Sequence, residues 1–347
     1  MHQFVVDVYA CVGRGYARRE TDWIDMADEK PIEQTTPSTD GTAPDPTPQR
    51  GGIVEKLKGG IVSTFLITLG FWAADILLTS LGTKVINPLL TPVLSALFDS
   101  TGVSYFFMYF DFIYGWLAVV LLLLIVGYGR KYLKAFGTAP SGNRPSYLLA
   151  GLAIGLAMNA FCIGVAVLRG NISGFEFVGF EPVQIILFVV VVLIQCSLEE
   201  IEARGFIFQR VRHCYGPAVA MVANSLYFAL EHLLNGGINP LALTSIFAVG
   251  IVLSLATYNF DSLWMAFGIH TGWNFCQGVL FGLPNSGVPT GYAIFRPVGE
   301  LTDSFAYDTA FGVESTVVAI ALFAVVSVLI CLWGRKHPRR CYDVFEA

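Results

Sequence analysis

Three short stretches carry most of the side chains able to do acid–base chemistry in apolar surroundings. They read Gln195-Cys-Ser-Leu-Glu199-Glu200-Ile-Glu202-Ala-Arg204-Gly205, then Phe228-Ala-Leu-Glu231-His232, then His270-Thr-Gly-Trp-Asn274. Glu200 and Arg204 are four residues apart, so on a helix they share a face and pair. Glu199 points about 100° away, because a helix turns once in 3.6 residues. The arginine thus neutralises one carboxylate and leaves its neighbour, Glu199, available as a base. His270 and Asn274 also share a face, and an imidazole beside a carboxamide can donate hydrogen bonds to a developing oxyanion.

The elements that must position these groups are membrane helices. Of 347 residues, 54% are apolar and 14% charged, and the mean hydropathy is +0.62. An ordinary soluble domain carries about 25% charged residues. This composition excludes a disordered protein and a typical soluble enzyme, and makes the lipid bilayer the first partner. The net charge of −5 supplies no basic patch, so no nucleic acid is expected. Seven cysteines are scattered without a CxxC pair, which indicates neither a disulfide framework nor a zinc ribbon.

Residues 1–52 form a tail whose Lys30–Arg50 stretch, rich in Pro, Thr and Asp, has no apolar period and reads as disordered; Met26 offers an alternative start. A bilayer span needs roughly 20 mainly apolar residues. Candidate spans are 61–81, 106–128, 146–168, 183–212, 217–234, 240–257, 262–282 and 315–334. The fold class is therefore an all-α polytopic membrane protein of about eight helices. The segment 84–98 holds two prolines and is expected to be interfacial or re-entrant. The expected divisions are N-terminal helices over 53–145, a core over 146–285 that holds the site, and an outer loop, last helix and basic tail over 286–347.

Lys56, Lys58, Arg130, Lys131, Lys134, Arg144, Arg210, Arg212, Arg335, Lys336, Arg339 and Arg340 fall in alternate breaks between the spans. By the positive-inside rule both termini are cytosolic, in a multi-pass protein of the cell membrane.

An ionisable group inside a bilayer costs roughly 2.5–3.5 kcal/mol on insertion scales, so each is a functional candidate. Depth brings several together. Cys214 back to Glu199 and Pro217 forward to His232 are both 15 residues, which puts both groups roughly 22 Å from the hairpin between them. Asn274, 12 residues beyond Ser262, lies roughly 18 Å in from the same side. Asp75 and Asp111 stand alone in the first two spans and are expected to be packing residues; Glu202 and Glu231 are candidates to line a wet cavity. Buried acids and bases can also pair solely to hold helices together, and a transporter or scaffold could use them as an ion or proton path.

The ordered set Glu199-Glu200…Arg204, Phe228…His232 and His270…Asn274 resembles the EExxxR, FxxxH and HxxxN pattern of the CAAX-prenyl-endopeptidase and bacteriocin-processing family (CPBP, or Abi) of intramembrane proteases. The resemblance covers roughly residues 145–285. It implies an endopeptidase that hydrolyses a peptide bond of a membrane-associated peptide or protein, near the cytosolic leaflet. Glu199 and His232 would activate water, Glu200 with Arg204 would support the site, and His270 with Asn274 would form the oxyanion hole. If a metal is bound, zinc on Glu199, His232 and His270 is the available set. HExxH is absent and Glu231-His232 lacks the earlier histidine of HxxEH, so the expected reaction uses no cofactor. GxGD and a membrane-embedded GxSx element are also absent.

Overall fold

The computed structural model describes residues 60, 62–125, 129–338 and 341–345. The expected tail over 1–52 and the basic residues Lys56, Lys58, Arg339 and Arg340 lie outside the described residues, as does the side chain of Arg130. Helices dominate: α1 (Ser63–Leu94), α2 (Ser100–Phe110), α3 (Phe112–Ile125), α4 (Gly129–Phe136), α5 (Pro145–Leu168), α6 (Pro182–Glu200), α7 (Phe208–Tyr215), α8 (Pro217–Glu231), α9 (Pro240–Phe260), α10 (Leu263–Asn274) and α11 (Val317–Lys336). A π-helical turn, Ile201–Ile207, continues α6, and another, Phe275–Leu280, continues α10. Two strands, β1 (Gly174–Phe177) and β2 (Phe295–Val298), pair antiparallel outside the bundle.

Local chemistry sets the helix starts. Pro145, Pro182, Pro217 and Pro240 each occupy a first-turn position, where the missing N–H costs nothing. Asp99, Asn239, Ser262 and Thr316 cap the starts of α2, α9, α10 and α11 by accepting a backbone N–H.

Among the described residues six helical stretches are long and apolar enough to cross a membrane: Ser63–Leu94, Ser100–Ile125, Pro145–Leu168, Pro182–Tyr215, Pro240–Phe260 and Val317–Lys336. The two other expected spans are helical but short, α8 with 15 residues and α10 with 12 before its π turn. The proline-bearing segment corrects an expectation. Helix α1 runs unbroken to Leu94 with Pro88 and Pro92 inside it, so residues 84–94 extend the first helix rather than forming a re-entrant piece. Membrane helices tolerate proline because neighbouring groups re-satisfy the freed carbonyls. The outward faces of these helices are apolar, with Leu66, Ile76, Leu77, Leu89, Leu124 and Leu329 exposed, as a lipid-facing surface requires.

The tightest packing carries the third stretch. Gly151 and Gly155 of α5 lie against the backbone of α10 at Met265, Gly268 and Ile269, while Gly268 and Gly272 lie against Leu148 and Leu152. A Cβ at any of the four would collide with backbone atoms. Small residues let membrane helices approach this closely, and the approach fixes the face of α10 that carries His270 and Asn274.

The basic breaks meet at one end of the bundle. Arg210 donates to Thr64 Oγ1 at 2.7 Å, and Arg212 donates to Tyr342 O at 2.8 Å and pairs with Asp343 at 3.2 Å. Asp261 accepts from Ser141 N and Tyr342 N, both at 2.7 Å, and Ser262 donates to Gly142 O at 2.7 Å. The loop 281–316 lies at the other end, where Asn239 donates to Asp308 at 3.0 Å and Asn171 to Thr302 O at 3.0 Å.

Candidate active site

All six site residues read from the sequence converge in the structure. Glu200 and Arg204 pair at 3.0 Å with both side chains fully buried. Arg204 also donates to Gly250 O at 3.2 Å, and its guanidinium lies 4.4 Å from the Phe228 ring centroid. Its charge is thus spent on Glu200, a carbonyl and an aromatic face. Glu199 lies on a different face, as its helical offset requires. Its Oε1 accepts from Gln195, and its Oε2 has no hydrogen-bond partner in the protein.

His270 sits between the two glutamates, with Nδ1 at 3.0 Å from Glu200 Oε1 and Nε2 at 3.7 Å from Glu199 Oε2. Because a carboxylate only accepts, Nδ1–H is the donor to Glu200. His232 closes the end of α8, and its Nδ1 lies 2.8 Å from Phe228 O. A carbonyl also only accepts, so Nδ1–H donates there and the neutral ring keeps Nε2 as an acceptor. The Phe228 ring packs against both imidazoles, with centroids 4.9 Å from His232 and 5.8 Å from His270. Asn274 is 5% exposed, and its Nδ2 donates to Gln195 Oε1 at 3.2 Å.

These groups line a cavity of about 360 Å³. Gln195, Glu199, His232, His270 and Asn274 share it with Asp75, Glu202 and Glu231, and Phe71, Trp72 and Phe112 supply apolar wall. Glu202 and Glu231 are therefore cavity groups, the first accepting from the Tyr227 hydroxyl at 3.2 Å. Asp111 is a packing residue that accepts from Asn87 at 2.8 Å. Asp75 corrects an expectation: it accepts from Thr79 at 3.2 Å but also faces the cavity, because α1 forms one of its walls.

Four contributors were missed. Gln195 links Glu199 to Asn274 and precedes Glu199 by one helical turn, a spacing the sequence does show. Asn285 and Ser286 roof the cavity from the loop after α10, and no periodicity marks them. Glu314 anchors that roof by accepting the Ser286 N–H, and burial pushes its carboxyl up to about 7.

The roof also settles depth. His232 ends its helix roughly 22 Å from the basic end, and Asn235, three residues on, donates to Ser286 O at 2.9 Å. The site lies in the half of the bundle away from Arg210 and Arg212. A site near the cytosolic leaflet is therefore incompatible with cytosolic basic loops. Among the described residues no group of three or more His, Cys, Asp or Glu side chains is arranged to hold a metal ion. The six described cysteines are free thiols; Cys11 lies outside the described residues.

The fold and the site together define a polytopic α-helical membrane protein with glutamate, histidine and asparagine gathered inside the bundle. Residues 181–276, a little over a quarter of the chain, match the family model of the Rce1-like type II CAAX prenyl endopeptidases. The matched stretch contains all six site residues and agrees with the resemblance read from their spacing. At the level of that family, the match supports an intramembrane endopeptidase. No curated protein and no solved structure matches the chain.

Proposed function

We propose that this protein hydrolyses a peptide bond of a membrane-associated substrate, a prenylated C-terminal peptide in the first instance, with Glu199 and His232 activating the attacking water. One observation carries the reading. Glu199 keeps a carboxylate oxygen without a hydrogen-bond partner in the cavity it shares with His232, while its neighbour Glu200 is spent on Arg204 and His270. A general base must lie within hydrogen-bond reach of the proton it takes. Glu199 Oε2 and His232 Nε2 are two acceptors on this shared cavity, and we assign one water to the pair.

The water attacks the scissile carbonyl as its proton passes to Glu199, and that proton then goes to the leaving amine. Charge developing on the carbonyl oxygen meets an N–H of Asn274 and the Nε2–H of His270, whose ring carries both protons while Nδ1–H stays on Glu200; the two residues share a face of α10. Glu200 and Arg204 hold His270 and the wall behind it. The buried charges converge in one cavity rather than forming a string across the bundle, which favours catalysis over an ion path. The apolar wall of Phe71, Trp72 and Phe112 suits a lipidated or hydrophobic peptide. We place the basic end in the cytosol, in a multi-pass protein of the cell membrane.

The test is cleavage of a farnesylated, internally quenched peptide ending in a Cys-aliphatic-aliphatic-X sequence, by protein reconstituted in liposomes. Wild type cleaves it; Glu199→Gln and His232→Ala do not. Equal cleavage by Glu199→Gln would remove Glu199 from the reaction.

A further inference from the structure

The roof of the cavity holds a polar group that the reaction above leaves unused. Asn285 is 6% exposed, its side chain lines the cavity, and its Oδ1 has no hydrogen-bond partner in the protein. The other end of its carboxamide lies beside the Tyr109 hydroxyl. A buried acceptor left unpaired costs about 1–3 kcal/mol, so its persistence calls for an explanation.

The position of Asn285 is over-determined. Asn285 and Val288 exchange backbone hydrogen bonds of 3.0 and 2.9 Å. Between them Ser286 is held at φ 50°, a left-handed conformation that only a few per cent of non-glycine residues adopt. The Ser286 N–H donates to Glu314 and its carbonyl accepts from Asn235, three residues past His232. The hairpin is thus pinned to the turn that follows His232 on one side and to the segment just before α11 on the other. Strained backbone kept in place by several contacts is a feature of binding sites.

An extended peptide entering this cavity brings backbone N–H groups that need acceptors once water is excluded. Asn274 and His270 supply donors for the carbonyl under attack. An acceptor for the peptide N–H is the complementary half, and Asn285 Oδ1 is such a group, neutral and not committed to another residue. We propose that Asn285 is a substrate-binding residue whose carboxamide oxygen accepts a backbone N–H beside the scissile bond, with Glu314 as the positioning residue that holds its hairpin. The inference rests on the endopeptidase reading and extends it to how the bond is set in register against Glu199.

Two measurements test it on the full chain in liposomes, with the farnesylated quenched peptide as probe. In the first, each peptide N–H except that of the scissile bond is replaced in turn by an ester oxygen. Wild type should show one position at which KM rises about tenfold while kcat changes less than about threefold, the size expected for one neutral hydrogen bond. In the second, Asn285→Ala should raise KM for the all-amide peptide by a similar factor and no longer distinguish amide from ester at that position. A wild type indifferent to every ester overturns the proposal without any variant having to fold. So does an Asn285→Ala enzyme that keeps the wild-type ester sensitivity, even if its melting temperature falls, because that pattern is purely structural. A wild type that cleaves no peptide overturns the endopeptidase reading and this inference with it; an active wild type matched by Asn285→Ala overturns this inference alone.

Discussion

Replacing Glu200 by Gln separates the two adjacent glutamates by stability as well as by activity. Glu200 Oε1 accepts from Arg204 and from His270, each at 3.0 Å, and the Glu200 and Arg204 side chains are fully buried. Removing the negative charge leaves the guanidinium with only the Gly250 carbonyl and the Phe228 face. Breaking a buried pair by removing one partner costs about 3–5 kcal/mol, because the surviving charge is uncompensated. Glutamine keeps an acceptor oxygen, so the lower end, about 3 kcal/mol, is expected. Each kcal/mol shifts Tm by about 2–4 °C in a protein of some 150–250 residues; the larger chain here should fall by about 6 °C or somewhat less. Glu199→Gln is the control. Its carboxylate has one unpartnered oxygen and no arginine, and glutamine can still bond Gln195. Its Tm should stay within about 1–2 °C while cleavage is lost. Fluorescence-monitored melting in detergent, beside the peptide assay, reads both quantities. Equal Tm losses in the two variants, or a Glu200→Gln protein as stable as wild type, would refute the division of labour. The double variant Glu200→Gln/Arg204→Met should recover stability but not activity.

Asn274→Ala should lower turnover by about 10²–10³ with KM little changed, the usual loss for one oxyanion donor, whereas a relay of ions would tolerate Asn274→Asp and a protease would not. Gly155→Ala drives a Cβ into the Ile269 carbonyl; overpacking of this kind costs about 1–3 kcal/mol, and the resulting shift of α10 should depress kcat as well as Tm. An engineered cysteine at exposed Glu300 should react with a membrane-impermeant maleimide from outside intact cells, and one at exposed Lys134 should not. Labelling of both positions from the same side would overturn the orientation.

Much of the site is legible in the sequence because it is written in helical periodicity. Glu200 with Arg204 and His270 with Asn274 obey the four-residue spacing, and counting from the Gly216-Pro217 break places Glu199 and His232 at one depth. The same counting measures distance to the hairpin without saying what covers the opposite end. That cover comes from 281–316, where hydrogen bonds such as Ser286 to Glu314 join residues 28 apart in sequence and leave no local pattern. The π turn after Glu200 is equally silent, because no residue pattern in Ile201–Ile207 sets a wider turn apart from an α-helical one. Pro88 and Pro92 mislead for the opposite reason. They carry a strong local signal for a break, which the environment of a long membrane helix overrides. His270 is read as an oxyanion donor alone, yet its second role, bridging Glu199 and Glu200, depends on the approach of α10 to α6 and appears only in three dimensions.

The most direct measurement is single-turnover cleavage of the farnesylated quenched peptide by wild type and Glu199→Gln reconstituted side by side in liposomes, with folding of both checked by melting. The expected result is release of the terminal peptide by wild type and none above background by Glu199→Gln, at matched Tm and matched substrate binding. Cleavage by Glu199→Gln at the wild-type rate would contradict the assignment of Glu199 as the base that activates water.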